Sequence, residues 1–396
     1  MLQALWHYGL WYLTQLVISK YIDINYGLPP RFGCGNLAYD IGCRWGFVMH
    51  ISRAAFDRAR LEGNLENYSR LVPIKIEQVR ENASALSDLA SASLRKAFLT
   101  ATLRPGCPEL RSLFRDAAQC GAAVFVLARA GNRAVDFSLA SETTMRLQGP
   151  VPPDMVYPAR WLSAVWCAMG ANDYPSLINL CHIPGDMLRK SPIHDDEFSY
   201  WYADAVRAFW TRDPAVGSML LEALRATEPE MIRHSDVDYV MSVNVPTLNL
   251  FYSILEGNVA RFQEAMAKTL EGHKQFWGRS AWRNTIEGLV ALPATALAGL
   301  GKDQGLTADV TSDYVPPQLM ESRPHAVDLV CCPYCIVPIA NGTAVCPACL
   351  RAVDADAPID MESVEYFQAA RKQCGACGSY ILRIAVICPT CRTSQS

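Results

Sequence analysis

The sequence predicts an all-α body, built as a helical bundle or as stacked helical hairpins, followed by two small four-cysteine zinc ribbons. Three observations predict it. Apolar residues recur at three- and four-residue spacing through most of the chain before residue 300, as helices with one buried face require. No segment outside the tail shows a convincing run of apolar–polar alternation at the period of two that a half-buried strand needs. Eight of the 15 cysteines fall in the tail in two copies of one pattern.

Taken in order, residues 1–20 are apolar and aromatic, with Trp6, Leu10, Trp11, Leu16 and Ile18. No basic residue precedes the run and no small-residue cleavage site follows it, so it is a poor secretory signal. Gln3, His7, Thr14 and Gln15 interrupt it short of the roughly 20 apolar residues that a membrane span needs. A packed helix in a cytoplasmic protein is expected. Helical periodicity then covers residues 85–102, 110–130, 160–169, 198–210, 216–226, 245–256, 261–276 and 285–300. Breaks fall at Gly, Pro, Asn and Asp, as helix ends require. Roughly twelve helices are expected in all.

An internal period runs through the second half. Three pairs of apolar segments are joined by turns that start at Asn172, Arg212 and Gly257, close to the length of a helical-hairpin repeat. Stacked hairpins present a curved surface suited to binding another protein. The body is expected to span residues 1–322, with a sub-boundary near 149–153 in the run Gly149-Pro150-Val151-Pro152-Pro153. Pro316-Pro317 and Arg323-Pro324-His325 mark a linker into the tail, residues 323–396.

In the tail, Cys332-Pro-Tyr-Cys335 is followed after ten residues by Cys346-Pro-Ala-Cys349. Cys374-Gly-Ala-Cys377 is followed, again after ten, by Cys388-Pro-Thr-Cys391. Each C-x-x-C forms a knuckle with two sulfurs facing one way, and two knuckles close a tetrahedral thiolate shell around zinc. Two structural zinc ions are expected, each with all four positions filled and none left for water or substrate. Metal binding would supply most of the folding free energy of modules with so little apolar core, on the order of 10–16 kcal/mol per site. The C-P-x-C form makes Cys332 the ligand and neighbouring Cys331 a bystander.

Charge narrows the partners. The net charge is −3, from 36 basic and 39 acidic residues, so the global basic balance of nucleic-acid binders is missing. From Leu329 onward, five acidic residues meet five basic ones, and two zinc–thiolate centres take that segment to about −4. Direct nucleic-acid binding is not expected. Catalytic motifs are also thin. No G-x-x-x-x-G-K-[ST], H-E-x-x-H or G-x-S-x-G is present. Gly33-Cys34-Gly35 has no preceding hydrophobic strand and reads as a loop. His182, His194-Asp195 and Asp236 or Asp238 imitate the ligand order of a metal phosphohydrolase only loosely. The scattered Cys34, Cys43, Cys107, Cys120, Cys167 and Cys181 read as small core hydrophobes.

Two blocks carry a family resemblance. One is Leu270-Glu-Gly-His273-Lys-Gln-Phe276-Trp277. The other is the apolar segment from Gly288 through Pro293 to Gly301, running on to Gly305-Leu306 and Thr311-Ser-Asp313-Tyr314-Val-Pro316. Together they resemble the immunity protein 49 family of bacterial polymorphic toxin systems, most strongly over 245–320 and back to about 150. The ribbons are outside the resemblance. Physical chemistry alone gives these residues structural jobs. His273 and Trp277 share one helix face and suit a buried, hydrogen-bonded helix end. Asp313-Tyr314 suits an anchor at the exit from the last helix.

The resemblance implies a non-enzymatic inhibitor that binds a toxin made by the same cell, often a nuclease of the HNH or a related metal-finger type. A nuclease presents a basic groove, which carboxylates both steer towards and occlude. The carboxylates offered are Asp195, Asp196, Glu197, Asp236 and Asp238 in the body, with Asp354, Asp356, Asp360, Glu362 and Glu365 beside the ribbons. The alternative is a helical-repeat adaptor whose ribbons recruit a protein or nucleic acid. A third reading, an enzyme using His182, His194 and Asp195, requires those side chains to share a metal.

Overall fold

A computed structural model describes residues 49–139, 144–211 and 213–320, together with the backbone of four short strands in the tail. The first helices are α1 (Arg58–Glu81), α2 (Leu86–Leu103) and α3 (Leu110–Ala130). A hairpin of β2 (Val135–Ser138) and β3 (Thr144–Leu147) follows them. Then come α4 (Pro158–Ala171), α5 (Tyr174–Cys181), α6 (Gly185–Arg189), α7 (Glu197–Thr211) and α8 (Val216–Arg225). The one-turn α9 (Val237–Tyr239) leads through a π-helical turn, Val240–Asn244, into α10 (Val245–Glu256). Helices α11 (Val259–Trp277) and α12 (Leu292–Asp303) complete the helical body. The strands β1 (Met49–Ile51) and β4 (Val310–Ser312) pair in parallel. In the tail, β5 (Leu329–Cys331) pairs antiparallel with β6 (Pro338–Ala340), and β7 (Arg371–Gln373) with β8 (Tyr380–Leu382).

Local chemistry accounts for the boundaries. Asp57 caps α1 by accepting from the Arg60 N–H, and Asn258 caps α11 by accepting from the Arg261 N–H. Pro158, Pro175 and Pro293 sit in the first turns of α4, α5 and α12, where a missing N–H costs nothing. The turns at Asn172 and Gly257 both end a helix in the left-handed conformation, φ 58° and 65°, which Asn and Gly tolerate best.

The hairpin pattern read from the spacing is present. Helix α4 packs on α5, α7 on α8, and α10 on α11. Successive pairs touch, with α4 and α5 against α7, and α8 against α10. Helix α12 lies against α4, α10 and α11. Its Ala294, Ala296, Ala298 and Gly301 are buried and let neighbours come close, with the Phe262 ring over Gly301. The segment 149–153 joins β3 to α4, and α4 packs closely on α3, Gly121 against Ala164.

Four expectations need correction. The helix expected over 285–300 is a 3-10 turn, Ile286–Gly288, then a break, then α12. Pro293 has no N–H and fits only the first turn, and the freed Ala291 N–H donates to the Tyr314 carbonyl. The proline pair 316–317 belongs to the body: the 3-10 turn Pro317–Met320 buries Leu319, and Arg111 donates to the Gln318 carbonyl. The hairpin β2–β3 escaped the search for alternation because its strands are four residues long. Phe137, Met145 and Leu147 do point inward. Helix α1 also escaped, since it buries only Leu61, Leu65 and Val79 and carries Pro73. Residues 1–48, including the expected N-terminal helix and the Gly33 loop, lie outside the described residues.

Candidate docking surface

The residues that carried the resemblance converge on one junction, buried at His273 and Tyr314 and exposed at Asp313. His273 Nε2 lies 3.0 Å from the Gly288 carbonyl, which can only accept, so this nitrogen carries the proton. The Tyr314 ring meets His273 edge-on at 4.8 Å, and the Tyr314 hydroxyl accepts from the Ala54 N–H. Gly288 is pressed against Trp277, where a Cβ would stand 2.8 Å from the ring. Asp313 accepts from the Arg53 N–H and lies 3.4 Å from His50. Burial pushes the His273 imidazole down to about 4, so it is neutral at physiological pH. One residue before His273 in α11, Gly272 lies directly on the Ser242 carbonyl of the π-helical turn. These contacts lock α11, α12 and β4 together.

Beside it lies a rim of three loops. The first, residues 190–196, precedes α7; the second, 226–236, precedes α9; the third, 278–291, follows α11. Asp196 joins the first two: its carboxylate accepts from the backbone N–H groups of Arg233, His234 and Ser235 at 2.6, 2.9 and 2.8 Å. The His194 and His234 rings sit 6.4 Å apart across the same seam. The second and third loops are joined by Arg279, which donates to Asp238 at 2.8 Å, and by Tyr239 against Phe276 and Trp277.

Most exposed large hydrophobics sit on this rim. Seven such residues occur among the described ones, and four are here: Ile193, Met231, Val237 and Trp282. Trp282 is 42% exposed, stacked on Phe276 at 6.2 Å and edge-on to Trp277 at 6.4 Å. Partner surfaces favour exposed aromatic, Met and Arg side chains of this kind. Sequence reasoning missed Trp282, Ile193 and Met231; a Trp inside the polar run Arg279–Asn284 was the available signal.

A family model described as immunity protein 49 matches residues 108–319, a little over half of the 396-residue chain. The chain belongs to the immunity protein 49 family. No curated protein and no solved structure matches it. The immunity protein 49 region reaches further back than the resemblance, which is strongest over 245–320 and extends to about 150: it begins at residue 108, just ahead of α3, and it holds the whole rim and most of the junction. Helices α1 and α2 precede it.

The rim gathers the five body carboxylates expected to meet a partner, and each already has an internal task. Asp196 is 2% exposed, so the expectation that it contacts a partner is corrected: it is the internal knot of the two loops. Burial drives its carboxyl up, but the Ser235 hydrogen bonds and the Arg233 and His234 N–H groups hold it below the usual range. Asp195 is half-buried and accepts from the Ala159 N–H in the first turn of α4; desolvation raises its carboxyl. Glu197 pairs with Arg189 at 2.8 Å. Asp236 caps α9, and Asp238 pairs with Arg279. Glu197, Asp236 and Asp238 are exposed.

The metal-hydrolase arrangement is not assembled. Among the described residues no three His, Cys, Asp or Glu side chains gather as metal ligands. His182 instead turns Nδ1 to the Ile178 carbonyl at 2.7 Å. The buried cysteines are Cys120, Cys167 and Cys181, and burial pushes the Cys181 thiol up to about 12. Cys107 differs from the core hydrophobe expected: it is half-buried, with its thiol 2.8 Å from Glu109. No helix among the described residues is long and apolar enough to cross a membrane. The eight ribbon cysteines and the acidic residues Asp354, Asp356, Asp360, Glu362 and Glu365 lie outside the described residues, as do Cys34 and Cys43.

Proposed function

We propose that the chain binds and neutralises a cognate toxin stoichiometrically, without turnover, and that the toxin is a nuclease. The observation that carries this reading is membership of the immunity protein 49 family over the region that holds the loop rim. The rim supports it physically. Ile193, Met231 and Val237 offer apolar contact, while Glu197, Asp236 and Asp238 stand exposed around them. A nuclease domain carries a basic substrate groove, and exposed carboxylates steer association with such a surface. Once seated, an inhibitor of this kind needs no chemistry: occupying or distorting the groove excludes the substrate.

The C-terminal tail is proposed to hold two structural zinc ions, on Cys332, Cys335, Cys346 and Cys349, and on Cys374, Cys377, Cys388 and Cys391. With four thiolates each, the ions serve as braces and leave no open coordination position.

Co-expression with the toxin domain encoded by the adjacent gene is the test. The expected result is rescue of growth and a one-to-one complex. Charge reversal at Asp236 and Asp238 should slow association about tenfold at low salt. A neighbour that is harmless, or whose toxicity is unchanged, removes the toxin reading.

A further inference from the structure

We propose that the groove between α1 and the 278–287 loop docks a carboxylate-bearing segment of a partner protein, anchored on Trp282. The groove encloses about 340 Å³ and is lined by Arg60 and Asn64 of α1, Arg95 of α2, and Asn284, Ile286 and Glu287 of the loop. Trp282 and Arg283 stand in the same loop and line the small cavity beside the groove.

The charge balance of this neighbourhood is lopsided in a specific way. Glu287 is matched by Arg95 at 2.7 Å, Glu62 by Arg58 at 2.9 Å, and Asp238 by Arg279 at 2.8 Å. Asp57 accepts from the Arg60 N–H as the cap of α1, and Asn284 accepts from the Asp57 N–H. Among the described residues, the guanidinium groups of Arg60 and Arg283 meet no carboxylate. One unmatched cation, Arg60, therefore lines the open polar groove, and a second, Arg283, lines the adjoining cavity with the exposed Trp282. Arg is suited to bidentate pairing with carboxylate.

Trp282 is pre-organised for contact. Its stack on Phe276 and edge contact with Trp277 hold the ring in place before any partner arrives, so little side-chain entropy remains to be lost. Rigid Trp with flanking Arg is the composition of interface hot spots.

A protein segment fits this site better than nucleic acid. Single-stranded nucleic acid wants successive aromatic platforms; no aromatic ring lines this groove, and one exposed ring, Trp282, stands beside it. The site is distinct from the carboxylates of the proposed toxin contact, since it selects the opposite charge. Arg60, Asn64 and Arg95 also precede the family-matched region.

The test uses the full-length chain and a fluorescein-labelled peptide of alternating glutamate and leucine, with a glutamine-for-glutamate counterpart. Saturable binding of the acidic peptide is expected, about tenfold weaker for the glutamine peptide and for the double variant Arg60→Glu, Arg283→Glu. Trp282→Ala should lose affinity to a similar degree. Trp282→Phe, which keeps a ring on Phe276, should fall between and serves if the alanine variant does not fold. Equal affinity for both peptides, unchanged binding by the charge-reversed chain, no saturable binding, or displacement of the peptide by oligothymidylate would each overturn the proposal. Peptide binding by a chain that fails to neutralise the neighbouring toxin would leave the groove standing and remove the toxin reading.

Discussion

The His273 junction and the loop rim are neighbours, joined through Tyr239 and Arg279, yet they use their side chains in opposite ways. At the junction, His273, Tyr314 and Gly288 are buried and held by one another, and Asp313 at its exposed edge is taken up by Arg53 and His50. On the rim, the polar groups knit the loops together while Ile193, Met231 and Trp282 are left exposed. The residues that make the family recognisable are thus the ones that hold the helices. The surface suited to contact is carried by the loops.

Breaking the junction should cost most. Gly272→Ala adds a methyl group directly against the Ser242 carbonyl, backbone on backbone. Ala normally favours a helix interior over Gly by about 1 kcal/mol, and here the sign should reverse. A loss of at least about 3 kcal/mol is expected in urea denaturation, the upper range for overpacking. No loss, or a gain, would mean that α11 and the π-helical turn do not approach as described.

The next largest effect is pH dependence at the same junction. His273 has its pKa lowered to about 4 when folded, against about 6.5 in an unfolded chain. The unfolded state therefore binds the proton first. The associated stability is present above pH 6.5 and is lost as the pH falls towards 4. About 2 kcal/mol should disappear between pH 7 and pH 5, and His273→Gln should flatten that slope. An unchanged slope in the variant would place the titration elsewhere.

On the rim, Asp196→Asn keeps the shape but removes the charge from three backbone hydrogen bonds. A cost of about 1.5 kcal/mol is expected, with hydrogen exchange accelerated at residues 233–235. Uniform acceleration over the whole body would deny the local role. The smallest effect should come from the exposed pair between the two regions. Asp238→Ala leaves Arg279 over the Phe276 ring and should change stability by less than about 0.5 kcal/mol. A large loss would show that rim and junction are one cooperative unit.

Much of the helical frame was legible. Helices α3 and α10 begin and end where the periodicity placed them, at 110–130 and 245–256, because long amphipathic segments bounded by turn residues admit few other readings. Helix α1 was not legible, since Pro73 and a sparse apolar face hide it. The acidic cluster was half legible. That carboxylates at 195–197 and 236–238 matter could be read from the chain. That Asp196 turns inward could not, because its partners are backbone N–H groups some 37 to 39 residues away.

By itself the sequence determined most of the helices, the helical-hairpin pairing, the family and the paired cysteine spacing, all of which rest on short-range patterns of side-chain type. Tertiary structure alone decided that three distant loops share one rim, that Trp282 stays exposed, and that Arg60 comes to face the loop at 278–287. The physical reason is that exposure and charge pairing depend on which segments approach in space. Such approach is set by packing summed over the whole body, and no local window of residues contains that sum.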